Sequence, residues 1–232
     1  MGKTSGLFVL AIGLGAFPIT ATSILAIYTA GVAYVGADSR ISRADGSEAR
    51  SGCKIHVTKD FIFASSGLFY ETEGPFDLRR IARESLVDGL HFKQAIANLQ
   101  ETLTKGYPAF AARAMLSGVP QIHLRTDIVV VGHDPDILVS QISMDYSKPP
   151  SRLDCPGPTC SAIGVFELGE RSAIDIILDR RHAIWREIGI PEAIKYLISE
   201  QMRATPQFVS GEISIVRMDQ HGTTWIAKGA CQ

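Results

Sequence analysis

Thr22 is the residue around which catalysis could be organised. It ends the stretch Ile19-Thr20-Ala21-Thr22 and is followed by two apolar, strand-like segments that finish on Ala37-Asp38-Ser39-Arg40. If the Ala21–Thr22 bond is cut, Thr22 acquires a free α-amine beside its own hydroxyl. Such an amine titrates near about 7.7–8.0, so it can accept the hydroxyl proton at neutral pH, which a peptide nitrogen cannot. Threonine paired with its own terminal amine is one of the activated nucleophiles, and β-branching restricts χ1 so that the hydroxyl stays on target. The chemistry needs a cation to keep the amine neutral and to stabilise developing negative charge, and a carboxylate to hold that cation. Asp38 closes the second apolar segment, sixteen residues after Thr22, and Lys54 opens the third, sixteen residues after Asp38. Strand ends often carry charges, so spacing alone leaves the bland reading open.

Other routes to catalysis leave no mark. There is no P-loop, no HExxH and no G-x-S-x-G elbow. The six histidines are scattered, and nothing locates a Ser-His-Asp triad. None of the four cysteines forms a C-x-x-C pair, which argues against a zinc or thioredoxin-like centre; neither metal nor cofactor is expected. The loop Cys155-Pro-Gly-Pro-Thr-Cys160 either closes as a disulfide in an oxidising compartment or carries two free thiols. His133-Asp134-Pro135-Asp136 has metal-ligand residue types but reads as a solvated turn, and Asp179-Arg180-Arg181-His182 as an exposed helix face.

These residues need elements to hold them. A chain of 232 residues, 46% apolar and 20% charged, is long and apolar enough for one domain with a large core, which excludes disorder. A net charge of −1 offers no surplus for binding nucleic acid. At the N-terminus Lys3 precedes an apolar segment from Gly6 to Phe17, then Pro18 and the small Ala21, the pattern of a secretory leader. That segment is short of the roughly 20 residues a bilayer span requires. Extended to Ile27 it is long enough, so an uncleaved anchor and a short propeptide stand as alternatives. The expected organisation is a signal peptide or propeptide over 1–21 and a folded domain over 22–232, with no stable membrane insertion once the leader is gone. The leader points to a periplasmic or secreted protein, with the cytoplasm as the alternative.

Ser23–Tyr28 and Val32–Ala37 read as strands, and Lys54–Val57 with Phe61–Ala64 as a hairpin broken off by Ser65-Ser66-Gly67. Helices are expected after Pro75 and from Phe92 to Met115, the second interrupted at Pro108. Strands return at Asp127–Gly132 and Ile137–Asp145, and Lys148–Pro158 reads as a loop. Glu170–Trp185 and the segment from Pro191 read as helices, and Glu212–Met218 with Thr223–Ala227 as a last hairpin. Helices in paired blocks argue against a doubly wound sheet and for two packed antiparallel sheets with helices on both outer faces.

The stretch from Thr22 to Arg40 resembles, without gaps, the start of a mature proteasome β-type subunit. The likeness continues to Gly52-Cys53-Lys54-Ile55, similar to that family's lysine strand, and to Phe61–Gly67, similar to the hairpin ending in its oxyanion-hole glycine. Ser210-Gly211-Glu212-Ile213-Ser214-Ile215-Val216 resembles its late glycine-then-strand segment. The chain looks like a divergent, bacterial-type N-terminal nucleophile (threonine) hydrolase with a secretory-like leader. The resemblance implies an α+β fold, a four-layer αββα sandwich. It implies Thr22 as nucleophile and base, Lys54 as cation, Asp38 as its carboxylate partner and Gly67 as the oxyanion donor. It also implies a substrate pocket lined by Ile41, Gly52, Ser65 and Phe69, the last narrowing it. Three departures stand out. Ala21 replaces the usual Gly before the nucleophile, so a signal peptidase could replace self-processing. Ser161-Ala162-Ile163-Gly164 stands where a Gly-Ser-Gly turn is expected, with Ser161 as the substitute hydroxyl. Thr205–Gly211 lacks the Asp of an Asp-x-x-Ser-Gly segment and retains Ser210. The implied activity is threonine-type, proteasome-like proteolysis of peptides or unfolded proteins in a homo-oligomeric ring. Two alternatives remain, an extracytoplasmic amide hydrolase of small acylated molecules and an inactive ring-assembly subunit.

Overall fold

A computed structural model describes residues 18–20, 22–29, 31–43, 50–68, 75–121, 124–157, 160 and 163–231. The leader residues 1–17 and Ala21 lie outside them, as do Ser161 and Phe69.

Two antiparallel sheets form the centre. The first strands are β1 (Pro18–Thr20), β2 (Ser23–Thr29), β3 (Val32–Asp38), β4 (Arg40–Arg43), β5 (Arg50–Ser51), β6 (Ile55–Val57) and β7 (Phe61–Leu68). Helices α1 (Leu78–Ser85) and α2 (Phe92–Leu116) precede β8 (Arg125–Asp134), β9 (Asp136–Asp145), β10 (Lys148–Cys155) and β11 (Ile163–Gly169). Then follow α3 (Ser172–Arg180), α4 (Ile184–Ile188), α5 (Ile190–Ala204), β12 (Ile213–Asp219) and β13 (Gly222–Ala227). The eight-stranded sheet runs β10-β9-β8-β7-β1-β4-β5, with β6 also paired to β7. The five-stranded sheet runs β11-β2-β3-β12-β13.

Side-chain alternation assigns the layers, because successive residues of a strand face opposite sides. On β7, Phe61 and Phe63 pack with Leu99, Leu103 and Phe110 of α2, while Ile62 and Ala64 face the other sheet. On β2, Ile24, Ala26 and Tyr28 meet them there, while Leu25 and Ile27 pack under Ile194, Leu197 and Ile198 of α5. Three apolar layers therefore separate helices, sheet, sheet and helices, the four-layer αββα sandwich expected from the element order.

Several local expectations need correction. Pro108 lies inside an uninterrupted α2. A helix-interior proline costs about 3 kcal/mol, and here Leu103, Tyr107, Phe110 and Ala111, all buried around it, hold the helix together. Lys148–Cys155 is a strand and not a loop. Pro149 and Pro150 are tolerated because β10 is an edge strand whose pairing shifts register between Lys148 and Ser151. The segment Ser65-Ser66-Gly67 continues β7 rather than ending it. The expected helix over Glu170–Trp185 is two, α3 and α4. Asp134, in the turn with metal-ligand residue types, accepts the Phe92 N–H at 2.8 Å and so caps α2. No helix among the described residues is long and apolar enough to cross a membrane.

Candidate active site

Asp38 is the centre of the site. It ends β3 in the five-stranded sheet, buried to 1% exposure, and its four hydrogen-bond donors come from four different segments. Oδ1 accepts the Ser23 N–H and the Lys54 Nζ, both at 2.9 Å. Oδ2 accepts the Arg40 N–H at 3.1 Å and the Ser210 N–H at 3.3 Å. A buried carboxylate is tolerable only when satisfied in this way.

Lys54 stands in the short link between β5 and β6, on the side of the eight-stranded sheet, so its ion pair with Asp38 bridges the two sheets. Burial pulls the Lys54 pKa down to about 8 from 10.5, against the opposing pull of the Asp38 charge and with help from Arg40. The ammonium is thus charged at neutral pH and close to giving up its proton. The neighbouring His56 is held neutral, its pKa lowered to about 4 by burial and by Arg79 and Arg83.

Thr22 lies one residue before β2, fully buried, and its Oγ1 makes no hydrogen bond among the described residues. Ser23 Oγ and Ser66 Oγ share that condition. The Thr22 carbonyl accepts the Glu170 N–H at 2.8 Å. Gly169, at φ +81°, is pressed against this carbonyl; an added Cβ would collide with the carbonyl oxygen and lie 3.2 Å from the Ser66 Cβ. Thr22, Ser66 and the Gly169–Glu170 turn therefore form one cluster between the sheets.

Gly67, at φ +88°, pairs with Thr126 on one side and with Thr20 on the other. A Cβ there would strike the Arg125 backbone, so only glycine fits. Ile41 is buried, and a Cβ on Gly52 would lie 2.6 Å from its Cδ1, which brings these two expected pocket residues together. Ser65 is half-buried on β7.

The supporting hydroxyls divide. Ser210 reaches the site through its N–H, and its Oγ accepts from Arg40 at 3.3 Å. Ser161 lies outside the described residues, and its neighbour Ile163 pairs with Thr29, at the end of β2 remote from Thr22. Beside Thr22 stands the turn Gly169-Glu170-Arg171-Ser172, because β11 runs antiparallel to β2 and sets Gly169 opposite Ser23. This turn is secured by Gln201 of α5, buried to 0%. Its Oε1 accepts the Ala173 N–H at 2.8 Å, and its Nε2 donates to Glu170 and to Thr205. Sequence reasoning missed Glu170, Gln201 and Ser66; a glycine three residues ahead of the helix start at Ser172 was the available signal.

Cysteine pairing also exceeds the expectation. Cys155–Cys160 is bonded, and so is Cys53–Cys231, which joins positions 178 apart in sequence.

No family model and no curated protein matches the chain. Solved structures do. Anbu (ancestral β-subunit) from Yersinia bercovieri superposes with TM-score 0.60 at 12% identity, over 89% of this chain and 87% of that one. An Anbu (Gly-1) mutant from Hyphomicrobium sp. strain MC1 gives TM-score 0.57 at 14% identity, with the same coverage. At such identities the likeness establishes the fold, which is of the proteasome-related, N-terminal nucleophile hydrolase type. It corrects the sequence-based resemblance to a proteasome β-type subunit. Both of these neighbours are Anbu proteins, a distinct proteasome-related group, and no family model matches the chain.

Proposed function

We propose that the protein is a threonine-type peptidase whose nucleophile is Thr22 after cleavage of the Ala21–Thr22 bond. The reading is carried by β1. Residues Pro18–Thr20 lie as an extended strand between β4 and β7, with Ile19 opposite both Ser42 and Leu68, and Thr20 opposite Gly67. A peptide backbone thus already occupies a slot that leads, one residue on, to Thr22. Because Thr22 Oγ would attack the carbonyl on that side in any substrate, a peptide entering in place of β1 presents its scissile carbonyl to the same hydroxyl. A slot formed by strand pairing selects an extended peptide over a small acylated molecule.

In the mechanism, Thr22 Oγ adds to the carbonyl while its proton passes to the α-amine. The tetrahedral oxyanion is met by the Gly67 N–H. Collapse breaks the C–N bond, the leaving amine takes the proton from the α-ammonium, and an ester on Thr22 remains. Water, deprotonated by the α-amine, hydrolyses the ester to a carboxylic acid and restores the hydroxyl. Lys54, held by Asp38, keeps the α-amine neutral. No metal or cofactor takes part.

Two disulfides support a periplasmic or secreted location, since such bonds persist in oxidising compartments. The neighbours' description as an ancestral β-subunit supports self-assembly into a homo-oligomeric ring. The test is mass spectrometry of the purified mature protein, with peptide hydrolysis by wild type and by Thr22→Ala. A mature N-terminus other than Thr22 removes the base and ends this reading. Hydrolysis of N-acyl amides without peptide turnover transfers it to a small-molecule amide hydrolase.

A further inference from the structure

Lys54 has a weak local scaffold for a residue so exposed to consequence. The link 52–54 belongs to no strand, and β6, which follows, has three residues and pairs only with β7. Two hydrogen bonds hold the link, Gly52 N–H to the Ser39 carbonyl at 2.8 Å and Arg79 to the Cys53 carbonyl at 3.2 Å. The third attachment is covalent. Cys53, the residue before Lys54, is bonded to Cys231. The segment carrying Cys231 follows β13 and rests on β12, where Ser214 Oγ donates to the Lys228 carbonyl at 2.6 Å. A Cβ on Gly229 would lie 2.7 Å from Ser214 Oγ, so that contact is close. On β12, Ile213 pairs with Asp38 itself and Ser214 with Ala37. The disulfide therefore connects the residue beside Lys54 to the strand beside Asp38, and spans the same gap between the sheets as the ion pair.

We propose that Cys53–Cys231 is a positioning staple that seats Lys54 on Asp38, so that completion of the candidate active site depends on oxidation. Its catalytic consequence rests on the threonine-peptidase reading above; the seating of Lys54 does not. Two thiols pass two electrons and two protons to a disulfide oxidant, which leaves as two thiols, while the Cys53–Cys231 bond forms. In a reducing compartment the exchange runs backwards, the link 52–54 is left to its hydrogen bonds, among them the Cys53 thiol on the Ile55 carbonyl, and Lys54 swings toward water. The charged groups that act on Lys54 are Asp38 from β3 and Arg40 from β4; Arg79 from α1 reaches the Cys53 carbonyl and, with Arg83, the neutral His56 of β6. With the Lys54 charge withdrawn, the Thr22 amine loses the cation that keeps it neutral, so the maximal rate falls and the remaining activity switches on at a higher pH. Cys155–Cys160 closes a five-residue separation at the far end of β11 and serves as the control.

The experiment uses the full chain as oxidised wild type, wild type reduced with dithiothreitol under native conditions, Cys53→Ser/Cys231→Ser, and Cys155→Ser/Cys160→Ser. Lys54 acylation by acetic anhydride is followed by peptide mass, and peptide hydrolysis is followed against pH. Loss of the staple is expected to raise Lys54 acylation about tenfold and to move the acid limb of the pH profile up by about one unit, while the control changes neither. If Lys54 stays as protected in the double serine variant as in oxidised wild type, the proposal is overturned. Where that variant does not fold, judged by circular dichroism, the reduced wild type decides in the same way. If Lys54 opens on reduction but oxidised protein hydrolyses no peptide, the staple stands and the peptidase reading falls.

Discussion

Asp38→Asn tests the buried pair without reference to any activity. The asparagine keeps the shape of the side chain but offers one carbonyl and one NH2 where the carboxylate accepts Ser23, Lys54, Arg40 and Ser210. Two consequences follow. Two N–H donors now face an NH2 group, a penalty of about 1–3 kcal/mol. Lys54 also loses the charge that holds its proton. Its pKa of about 8 stands one unit above neutral pH. Lys54 escapes further cost by deprotonating, so at pH 7 the added ionisation penalty is limited to about 1 kcal/mol. Together the variant is destabilised by about 2–4 kcal/mol at pH 7, in line with the breaking of buried ion pairs. The pH dependence has a definite sign. An unfolded lysine keeps its proton up to about 10.4, and a folded-state pKa depressed below that value makes the unfolded chain the better proton binder. Stability then rises with pH across the window between the two. In Asp38→Asn that window begins lower than in wild type, so the gap between the two proteins shrinks as pH rises toward 8 and levels off above it. Urea unfolding from pH 6 to 9, followed by Trp185 and Trp225 fluorescence with disulfides intact, measures the gap. A gap that does not vary over this range would refute a charged Lys54 buried against Asp38. The double variant Asp38→Asn/Lys54→Met should recover much of the loss, since it leaves no unpaired charge.

Other outcomes follow from the same geometry. Peptide hydrolysis should show a bell-shaped pH profile with its alkaline limb near 8, where Lys54 loses its proton, and its acid limb below the ordinary α-amine range; fluorogenic peptides measure it, and activity undiminished to pH 10 removes Lys54 from the mechanism. Gly169→Ala forces a Cβ into the Thr22 carbonyl at a positive φ and should lower stability by about 1–3 kcal/mol or more, read by thermal melting. Ile41→Ala should cost about 2–5 kcal/mol and shift cleavage toward larger residues before the scissile bond, scored with a peptide library. Gln201→Leu leaves the half-buried Ala173 N–H without its acceptor and should cost about 1–3 kcal/mol in urea unfolding.

The layered fold was legible because its signal is local. Short apolar runs bounded by turn residues, Ile24–Tyr28 and Phe61–Ala64, mark strands, periodicity along Ala95, Ile96, Leu99 and Leu103 marks a helix, and their order restricts the layers. Errors came where tertiary packing overrode local preference. Pro108 sits in a helix held from outside by aromatic packing, and Pro149 and Pro150 sit in a strand because its outer edge needs no partner. The resemblance to a proteasome β-type subunit drew chiefly on the first strands, Thr22–Gly67, where a nucleophile, a carboxylate and a lysine recur in a common frame, with Ser210–Val216 as its late part. Structural neighbours at 12–14% identity show how little of the remaining chain that frame constrains.

Within the site, Asp38 and Lys54 could be singled out from sequence because charges that close apolar strands are visible in one dimension. Their contact at 2.9 Å could not, since it depends on how one sheet is set upon the other. The same holds for the turn beside Thr22. Ser161, which sequence order suggested, lies outside the described residues; the antiparallel register of β11 against β2 brings Gly169 and Glu170 to Thr22. The partner of Cys53 is another such case, 178 positions away on a segment with no local mark of its role. Composition, periodicity and strand-end chemistry determined the class of fold and three residues of the candidate site. Register and sheet packing, which join residues far apart in sequence, decided which of them meet, how their charges are tuned and what holds them there.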